Sequence, residues 1–445
     1  MPRWMYLTIG VLALSVSLFL PFKTTTQSSD NNVHISVTVD GQPADALIRI
    51  FRNNAFLQLE YTDVHTLGQS SFQLPNGPYL IQVEHGAGFT SLPHQQEVII
   101  GSGQNRFEFN IERIFDPNGQ GYYSADLHTH TIASADSTLE IFGIPNHGST
   151  PIDQSVGVQL AADLDVMFIS DHNSVASHEV FAQTSDGRGV PYVLSEEITT
   201  LLWGHYNAYS LEPGKLVEFG FGKVPGQFFD ESRANGAAMI QVNHPYAIGF
   251  GYFVIENDPM FRNDFEAVEV FNDHFGEDDL RTVNKMFEFW NEGRRYVATA
   301  VSDDHDWKIL GAEYGTPRTY VFVGGELTAE KFLESLQGGH AYATYGTLLH
   351  VTVNDAIPGD TLTLNSDSTL TINAQLQNIS SLSGLTADLV RNGRSVQSVT
   401  LDDANTQTVT FEETVTESGW YLIRVLKSPR NYEAMTNPIW IEVAP

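Results

Sequence analysis

Short runs of alternating apolar and polar residues fill the first block of the chain, residues 33–115. Examples are HISVTVDG, ALIRIFRN and YLIQVEHG, and turn sequences such as PNGPY and GSGQN lie between runs of this kind. A period of two is typical of half-buried antiparallel strands. The pattern predicts a small N-terminal β-sandwich, and we find no cluster of metal-binding or acid–base residues in this block.

Between residues 122 and 346 the pattern changes to near-continuous apolar runs that alternate with helix-like segments. The runs are LDVMFIS, VPYVLS, AAMIQVN, EAVEVF, YVATAVS and RTYVFV. Strands that are buried on both faces of a parallel sheet have this character. The block predicts an α/β barrel or a doubly wound sheet, in which ligands bind at the carboxyl ends of the strands. From residue 350 to residue 445 the alternation returns, which predicts a C-terminal β-sandwich.

The first residues predict export. No charged residue occurs in residues 5–22, while Arg3 precedes this apolar run and Lys23 follows it. We interpret residues 1–26 as a signal peptide or an N-terminal membrane anchor. The length of the run lies between that of a cleaved signal and the roughly 20 residues of a membrane span, so both readings stay open. The expected location is periplasmic, extracellular, or membrane-anchored facing outward.

The composition of the chain limits the metal ligands and the partners that it can have. The chain has no cysteine, which excludes disulfides and thiolate ligands, so any metal is bound through nitrogen and oxygen. The formal net charge is −31, and no run of Lys or Arg offsets it. Such a surface repels phosphate backbones, and we expect no nucleic-acid partner. The sequence leaves the oligomeric state open.

Polar residues gather directly after the apolar runs. In DLHTHT, His128 and His130 are two residues apart, and Asp303 and His305 repeat this spacing after YVATAVS. Residues i and i+2 of a strand share one face, so each pair can reach one ion. Further candidates follow the intervening runs, namely His172, Glu197, His205 and His244.

These candidates include six of the 15 histidines. Nitrogen and oxygen ligands suit Zn(II), Mn(II) or Fe(II). So many ligands imply two or three divalent ions, which generate a reactive hydroxide at neutral pH. The sequence therefore predicts hydrolysis by a metal-activated hydroxide.

The motifs DLHTHT, ISDHN, SEEITT with GHYN, VNHP, and SDDH with PRTYV resemble, in this order, those of the polymerase and histidinol phosphatase (PHP) superfamily. The resemblance is to the branch that contains the carbaryl hydrolase and the McbA-like proteins. It implies a distorted (β/α)7 barrel of PHP type with a di- or trinuclear site at the carboxyl ends of its strands. In this chain the barrel would lie between the two predicted β-sandwiches.

The resemblance also implies a ligand set. One ion would take His128, His130, Glu197 and Asp303, a second would share Glu197 and add His205 and His244, and a third would take Asp136, His172 and His305. Relatives have an aspartate five residues after the second histidine, whereas Asp136 stands six residues after it. Because of this shift by one residue, the resemblance leaves open whether the third ion is bound.

Several residues are expected to act in catalysis, to bind the substrate or to orient a ligand. Asp303, Glu197 and His305 are the expected catalytic residues, with Asp303 as the proton shuttle, and Arg318 and Lys308 are candidates to bind an anionic substrate group. Glu196 and Asp304 are expected to face solvent or to orient a ligand histidine. The remaining histidines of the block, His147, His178 and His274, are expected at the surface or the rim.

Three functions remain open at this point. The first is a phosphoesterase acting on a phosphomonoester or a small phosphodiester. The second is a carbamate, ester or amide hydrolase with an uncharged pocket, for which Tyr246, Phe250 and Trp307 are candidates. The third is an exported surface-binding protein with a vestigial barrel.

Overall fold

The computed structural model describes residues 31–134, 148–220, 222–308 and 314–444. The predicted signal or anchor, residues 1–26, lies outside these ranges, as do Asp136 and His147. Within the described ranges, no helix is long and apolar enough to cross a membrane. The described chain is mixed α/β with many strands, which confirms the predicted class.

Eight strands precede residue 115 and form two four-stranded sheets. They are β1 (Asn31–Val39), β2 (Gln42–Pro43), β3 (Leu47–Arg52), β4 (Ala55–Tyr61), β5 (Gln69–Leu74), β6 (Gly77–Glu84), β7 (His94–Ile100) and β8 (Asn105–Ile111). One sheet has the order β2-β1-β5, with β8 parallel to β1, and the other has the order β4-β3-β6-β7. Apolar residues at alternate positions of both sheets, such as Ile35 and Ile48, pack into one core.

The middle of the chain contributes nine strands and five α-helices. The strands are β9 (Tyr122–Ala125), β10 (Met167–Ile169), β11 (Tyr192–Thr199), β12 (His205–Tyr209), β13 (Met239–Val242), β14 (Ala267–Asn272), β15 (Val297–Val301), β16 (Arg318–Phe322) and β17 (Ala341–Thr344). Within the described residues the helices are α1 (Ile152–Ala161), α2 (His178–Arg188), α3 (Pro225–Ala234), α4 (Glu277–Asn291) and α5 (Ala329–Gln337).

Helix α4 shows why these residues form a helix. Its first turn is acidic, which suits the positive end of the helix dipole, and the Asp279 carboxylate accepts the backbone N–H of Gly276 at 2.7 Å. Val283, Met286 and Trp290 recur at helical spacing and are buried. Gly293, at φ 81°, follows its end.

The six-stranded sheet β10-β11-β12-β13-β14-β15 carries most of the predicted site residues. The pairs β10–β11, β13–β14 and β14–β15 are parallel, as predicted, but β12 is antiparallel to both of its neighbours. A parallel crossover needs about a dozen residues or more, and residues 200–204 are too few for one. The chain therefore turns back on itself at this point.

Nine strands follow β17. They are β18 (Leu348–Val353), β19 (Thr361–Leu364), β20 (Ser368–Gln377), β21 (Thr386–Arg391), β22 (Arg394–Thr400), β23 (Thr406–Val415), β24 (Gly419–Ser428), β25 (Asn431–Thr436) and β26 (Ile439–Val443). A three-stranded sheet has the order β18-β20-β23. A nine-stranded sheet has the order β19-β26-β24-β25-β17-β16-β9, with β21 and β22 added at β24. This sheet runs without a break across the boundary predicted between residues 346 and 350.

Asp163 connects the N-terminal sheets to the middle of the chain. Its carboxylate lies 3.1 Å from His85 Nε2 and accepts hydrogen bonds from Arg113 Nη2 at 2.8 Å and Thr90 Oγ1 at 2.7 Å. Burial raises the pKa of Asp163, but His85 and Arg113 lower this pKa by more than burial raises it. The pKa of Asp163 therefore falls from 3.8 to about 2. The junction therefore depends on an ionised aspartate.

We predict that Asp163→Asn destabilises the protein. A carboxyl whose folded pKa lies below its unfolded value stabilises the fold above the unfolded pKa, and this stability is lost as the pH falls through the folded pKa. The shift from 3.8 to about 2 corresponds to about 2 kcal/mol. Denaturant unfolding should show this gap from wild type at about pH 6, and the gap should close towards about pH 2. Exposed Asp186, replaced by Asn, is the control, and a pH-independent gap would contradict the prediction.

Candidate metal centre

The segment that follows β9 closes the space between the two edges of the six-stranded sheet. Thr129 forms a parallel bridge with Asp304, just beyond β15. Its carbonyl oxygen accepts a hydrogen bond of 3.1 Å from the Ser170 nitrogen, just beyond β10. The Asp303 nitrogen donates to the carbonyl oxygen of His128 at 3.0 Å. The carboxyl ends of three strands therefore meet at this point.

A buried carboxylate, that of Asp126, holds the ends of β9 and β15 together. It accepts hydrogen bonds from the Ser302 nitrogen at 3.0 Å, from the Ser302 hydroxyl at 2.5 Å and from the Gly315 nitrogen at 2.9 Å. Burial raises the pKa of Asp126, and these hydrogen bonds oppose that rise. Backbone contacts therefore fix the positions of the histidine and aspartate pairs.

The first donor group consists of His128, His130 and Asp303, whose ligand atoms lie within 4.8 Å of one another. Oδ1 of Asp303 is 3.2 Å from His128 Nε2 and 3.1 Å from His130 Nε2. Oε2 of Glu197 lies 3.4 Å from His128 Nε2 and 3.6 Å from His130 Nε2. The structure thus brings together the four residues that the resemblance assigns to the first ion.

The second donor group surrounds Glu197. His205 pairs with Thr199 in the ladder between β11 and β12, which brings its Nδ1 to 3.0 Å from Glu197 Oε1. His172 forms a parallel bridge with Glu197, and its Nδ1 contacts the carboxylate. His244 Nε2 lies 3.4 Å from Glu197 Oε1. Glu197 is therefore the carboxylate that the first two groups share.

The third donor group consists of His130, His172 and His305. The Nε2 atoms of His172 and His305 are 3.2 Å apart. The ring of His130 stacks against both of the others, with centroid distances of 3.9 Å to His305 and 4.2 Å to His172. Two ring nitrogens at such a separation share a proton or a cation. His130 was predicted for the first ion, and Asp136, which was predicted for the third ion beside His172 and His305, lies outside the described residues.

Hydrogen bonds on the far side of the rings orient the histidines. For His130 and His305, Nδ1 faces a protein oxygen, which turns Nε2 towards the other candidate ligands. The pairs are His130 with the Ser134 hydroxyl at 3.1 Å and His305 with the Asp303 carbonyl oxygen at 2.8 Å. Nδ1 of His172 lies 2.6 Å from the Thr199 hydroxyl and also contacts Glu197.

The electrostatics at Glu197 and His130 favour the forms that bind metal. Burial raises the pKa of Glu197, but the nearby His172 and His128 lower this pKa by more than burial raises it. The pKa of Glu197 therefore lies well below its ordinary value. Burial, His305 and His172 hold the pKa of His130 well below its ordinary value. Metal ligation requires an ionised carboxylate and a neutral imidazole, which are the states that these shifts favour.

Several buried donor atoms lack a well-formed hydrogen bond within the described ranges. They include His205 Nε2 and, apart from the ion-pair contacts given above, His128 Nε2 and Glu197 Oε2. An unpaired buried polar atom costs about 1–3 kcal/mol. Burial lowers the pKa of His128, but Asp303 and Glu197 raise it more, and it lies well above its ordinary value. A divalent cation would replace that proton and bind the unpaired atoms, so the donor groups fit metal ions.

Two of the predicted ligands have backbone angles that are unfavourable for residues other than glycine. Asp303 has φ 58° and His244 has φ 26°. Conformations of this kind cost about 1–3 kcal/mol and cluster at functional sites. The surrounding contacts hold both residues in place against this cost.

The two predicted substrate-binding cations do not join the cluster. Lys308 Nζ lies 2.5 Å from Glu60 of the N-terminal sheets. Arg318 is buried, its Nε donates to the Gly315 carbonyl oxygen at 2.6 Å, and its guanidinium carbon lies 3.9 Å from the centroid of Phe89. Arg318 follows the last motif in sequence, but its side chain packs against the N-terminal part of the chain.

Glu196 differs from its predicted placement. The alternation of a strand points it away from Glu197, as expected, but it faces neither solvent nor a ligand histidine. It is fully buried and accepts the Val217 N–H at 2.8 Å. Burial raises the pKa of Glu196 to about 8.

The other histidines divide between core and surface. His178 was predicted at the surface or rim, which is wrong, because it is buried and its Nε2 lies 3.0 Å from the Ser195 carbonyl oxygen. His274 has a side chain that is 80% exposed, as predicted. His147 lies outside the described residues. The backbone of Asp304 takes part in the junction described above.

One of the three predicted pocket aromatics borders the cluster. The ring of Phe250 lies 5.1 Å from that of His205, and Phe250 is partly exposed. Tyr246 is buried. Trp307 stacks on Tyr61 at a centroid distance of 5.8 Å.

Glu269 belongs to the site but does not follow a strand end. It lies within β14, is buried, and its Oε1 is 2.8 Å from His128 Nδ1. The sequence signal was a charged residue inside the apolar run EAVEVF. A carboxylate buried in a strand requires hydrogen-bond partners. This signal could have marked Glu269 as a candidate site residue from the sequence alone.

Comparisons with known proteins give distant similarities. No family model matches the chain, and no curated protein matches it. A two-domain protein of Bacteroides vulgatus that contains a predicted PHP-like metal-dependent phosphoesterase has a TM-score of 0.42 and 15% identity, over 71% of this chain and 95% of that chain. An amidohydrolase of Chromobacterium violaceum has a TM-score of 0.29 and 14% identity, over 43% of this chain and 89% of that chain. At such TM-scores these similarities assign no activity, and the function is inferred from the site.

We predict that Glu197→Gln lowers the metal content of the protein. The substitution removes the charge that the first two donor groups share, so expression with excess Zn(II) or Mn(II) should yield about one ion fewer per chain than wild type. Elemental analysis of purified protein measures this. Glu196→Gln, the adjacent buried position that faces away, should retain the wild-type content. Equal metal content in the two variants would contradict the assignment of Glu197.

Proposed function

We propose that this protein is a metal-dependent hydrolase, and specifically a phosphoesterase acting on a phosphomonoester or a small phosphodiester. The observation that supports this proposal is the buried Glu197 carboxylate, which the first two donor groups share and which His130 and His172 of the third group contact. Two or three ions of Zn(II), Mn(II) or Fe(II) suit donors that are all nitrogen and oxygen. When bound, such ions polarise the attacked bond and lower the pKa of water to about 7.

The two carboxylates of the centre have different access to solvent. The side chain of Asp303 is 20% exposed, whereas that of Glu197 has no exposed surface. Oδ1 of Asp303 faces the histidines, and its Oδ2 accepts a hydrogen bond of 3.3 Å from Asn272. We therefore assign to Asp303 Oδ2 the acceptance of the proton from the attacking water, while Glu197 holds the ions and His305 completes the open side of the site.

A second candidate is the hydrolysis of a carbamate, ester or amide. Among the described residues, no Lys or Arg forms an ion pair with Glu197 or Asp303, so a phosphate would depend on the ions for its charge balance. Phe250 beside His205, together with exposed Leu202 and Ile248 in neighbouring loops, offers apolar surface to an uncharged group.

The cellular location is also part of the proposal. The uncharged run in residues 5–22 supports export, either with cleavage of a signal or with a tether to the membrane. A hydrolase at that location would act outside the cytoplasm on small esters.

We predict that Asp303→Asn lowers kcat by roughly 100-fold or more, because the amide cannot accept the proton. The metal content should stay close to that of wild type, since Glu197 and six histidines remain in the cluster. Steady-state kinetics and elemental analysis on the same sample test this. Wild-type turnover in the variant would refute the role of Asp303.

Substrate class is tested with protein that lacks residues 1–26. We expect activity on chromogenic phosphomonoesters or phosphodiesters after reconstitution with Zn(II), Mn(II) or Fe(II). Activity confined to carbamates or carboxylic esters would favour the second candidate. Wild-type protein that binds less than about one ion per chain would instead support the vestigial barrel.

A further inference from the structure

Glu269 forms an unusually complete set of hydrogen bonds for a residue inside a strand. It is 1% exposed. Its Oε1 lies 2.8 Å from His128 Nδ1 and accepts Gln241 Nε2 at 2.9 Å. Its Oε2 accepts the backbone N–H of His244 at 2.6 Å and Asn272 Nδ2 at 3.0 Å. Both oxygens are thus used, and two of the four donors belong to predicted metal ligands.

We propose that Glu269 is the positioning residue of the metal centre, which fixes His128 and His244 for binding. An ionised carboxylate only accepts hydrogen bonds, so Nδ1 of His128 carries its hydrogen and Nε2 presents its lone pair towards Glu197 and Asp303. Carboxylate partners of this kind orient metal-binding histidines and raise their basicity.

The same carboxylate controls the backbone at His244. This residue has φ 26°, a value that costs free energy for a side chain with a Cβ. The 2.6 Å bond from its N–H to Glu269 is charge-assisted, and such bonds are about twice as strong as neutral ones. Glu269 therefore holds the conformation that brings the His244 ring to Glu197.

Asn272 extends this arrangement to a third ligand. Its amide nitrogen lies 3.0 Å from Glu269 Oε2 and 3.3 Å from Asp303 Oδ2. One buried carboxylate on β14 is thus connected to ligands that follow β9, β13 and β15. This explains how strand ends from separate parts of the sheet are held in a common geometry.

The test uses Glu269→Gln in the full chain. The glutamine oxygen can accept from His128, but its NH2 group then faces the N–H of His244 and the amide of Asn272, which are also donors. We expect Co(II) affinity, measured by competition with a chelator, to fall about 10- to 100-fold. The visible spectrum of bound Co(II) should also change, because the ligand geometry changes, and a purely structural role would leave it as in wild type.

Glu196→Gln is the matched control, since Glu196 is an equally buried carboxylate that accepts a single backbone N–H. Its Co(II) affinity and spectrum should equal those of wild type. If Glu269→Gln does not fold, as judged by circular dichroism, Glu269→Asp keeps the charge but is too short to reach both His128 and His244, and the same losses are expected.

The inference rests on the proposed metal centre but on no particular substrate. A wild-type protein that fails to bind Co(II) would overturn the metal centre and this inference with it. Wild-type protein that binds Co(II), together with a folded Glu269 variant of equal affinity and spectrum, would overturn the role of Glu269 alone.

Discussion

The carboxylate of Glu197 has no exposed surface and lies among the imidazoles of five histidines. Burying an isolated charge costs several kcal/mol, so this arrangement is stable only when positive charge balances it. Asp303 and Glu197 raise the pKa of His128 more than burial lowers it, which favours a proton on that ring beside Glu197. Divalent cations would provide the same compensation by displacing ring protons. The stability of the strand ends would therefore depend on metal binding.

Local patterns in the sequence were sufficient to locate the centre. A titratable residue directly after an apolar strand is costly unless it has a partner, and the spacing of His128 with His130 and of Asp303 with His305 follows from strand geometry alone. The structure brings these four residues together with His172, Glu197, His205 and His244. That they bind metal stays a prediction, as does the placement of Asp136. The mixed α/β class was likewise visible in the pattern.

What the sequence did not reveal depends on contacts between distant segments. Arg318 stands at a motif position, but Phe89, far away in the chain, determines where its guanidinium group packs. Glu196 and Glu197 are neighbours in sequence, and only the sheet decides which of them meets the histidines. Glu269 was not predicted because it lies within strand β14, whereas the predicted site residues were those that follow strand ends. The antiparallel direction of β12 follows from the short connection at residues 200–204. The length of this connection is a sequence signal from which the direction could have been predicted.

The pairing of β17 with β25 has a consequence for the order of folding. Tyr342 lies opposite Thr436, so a strand of the metal-binding region completes its hydrogen bonds only with residues near the end of the described chain. Until those residues have been synthesised, β17 presents an open strand edge, which invites pairing with other chains. Contacts over such sequence separations also slow folding. The candidate metal-binding residues that follow β9 and β15 would thus be assembled late, and a chaperone that shields this edge would affect how much folded protein a cell obtains.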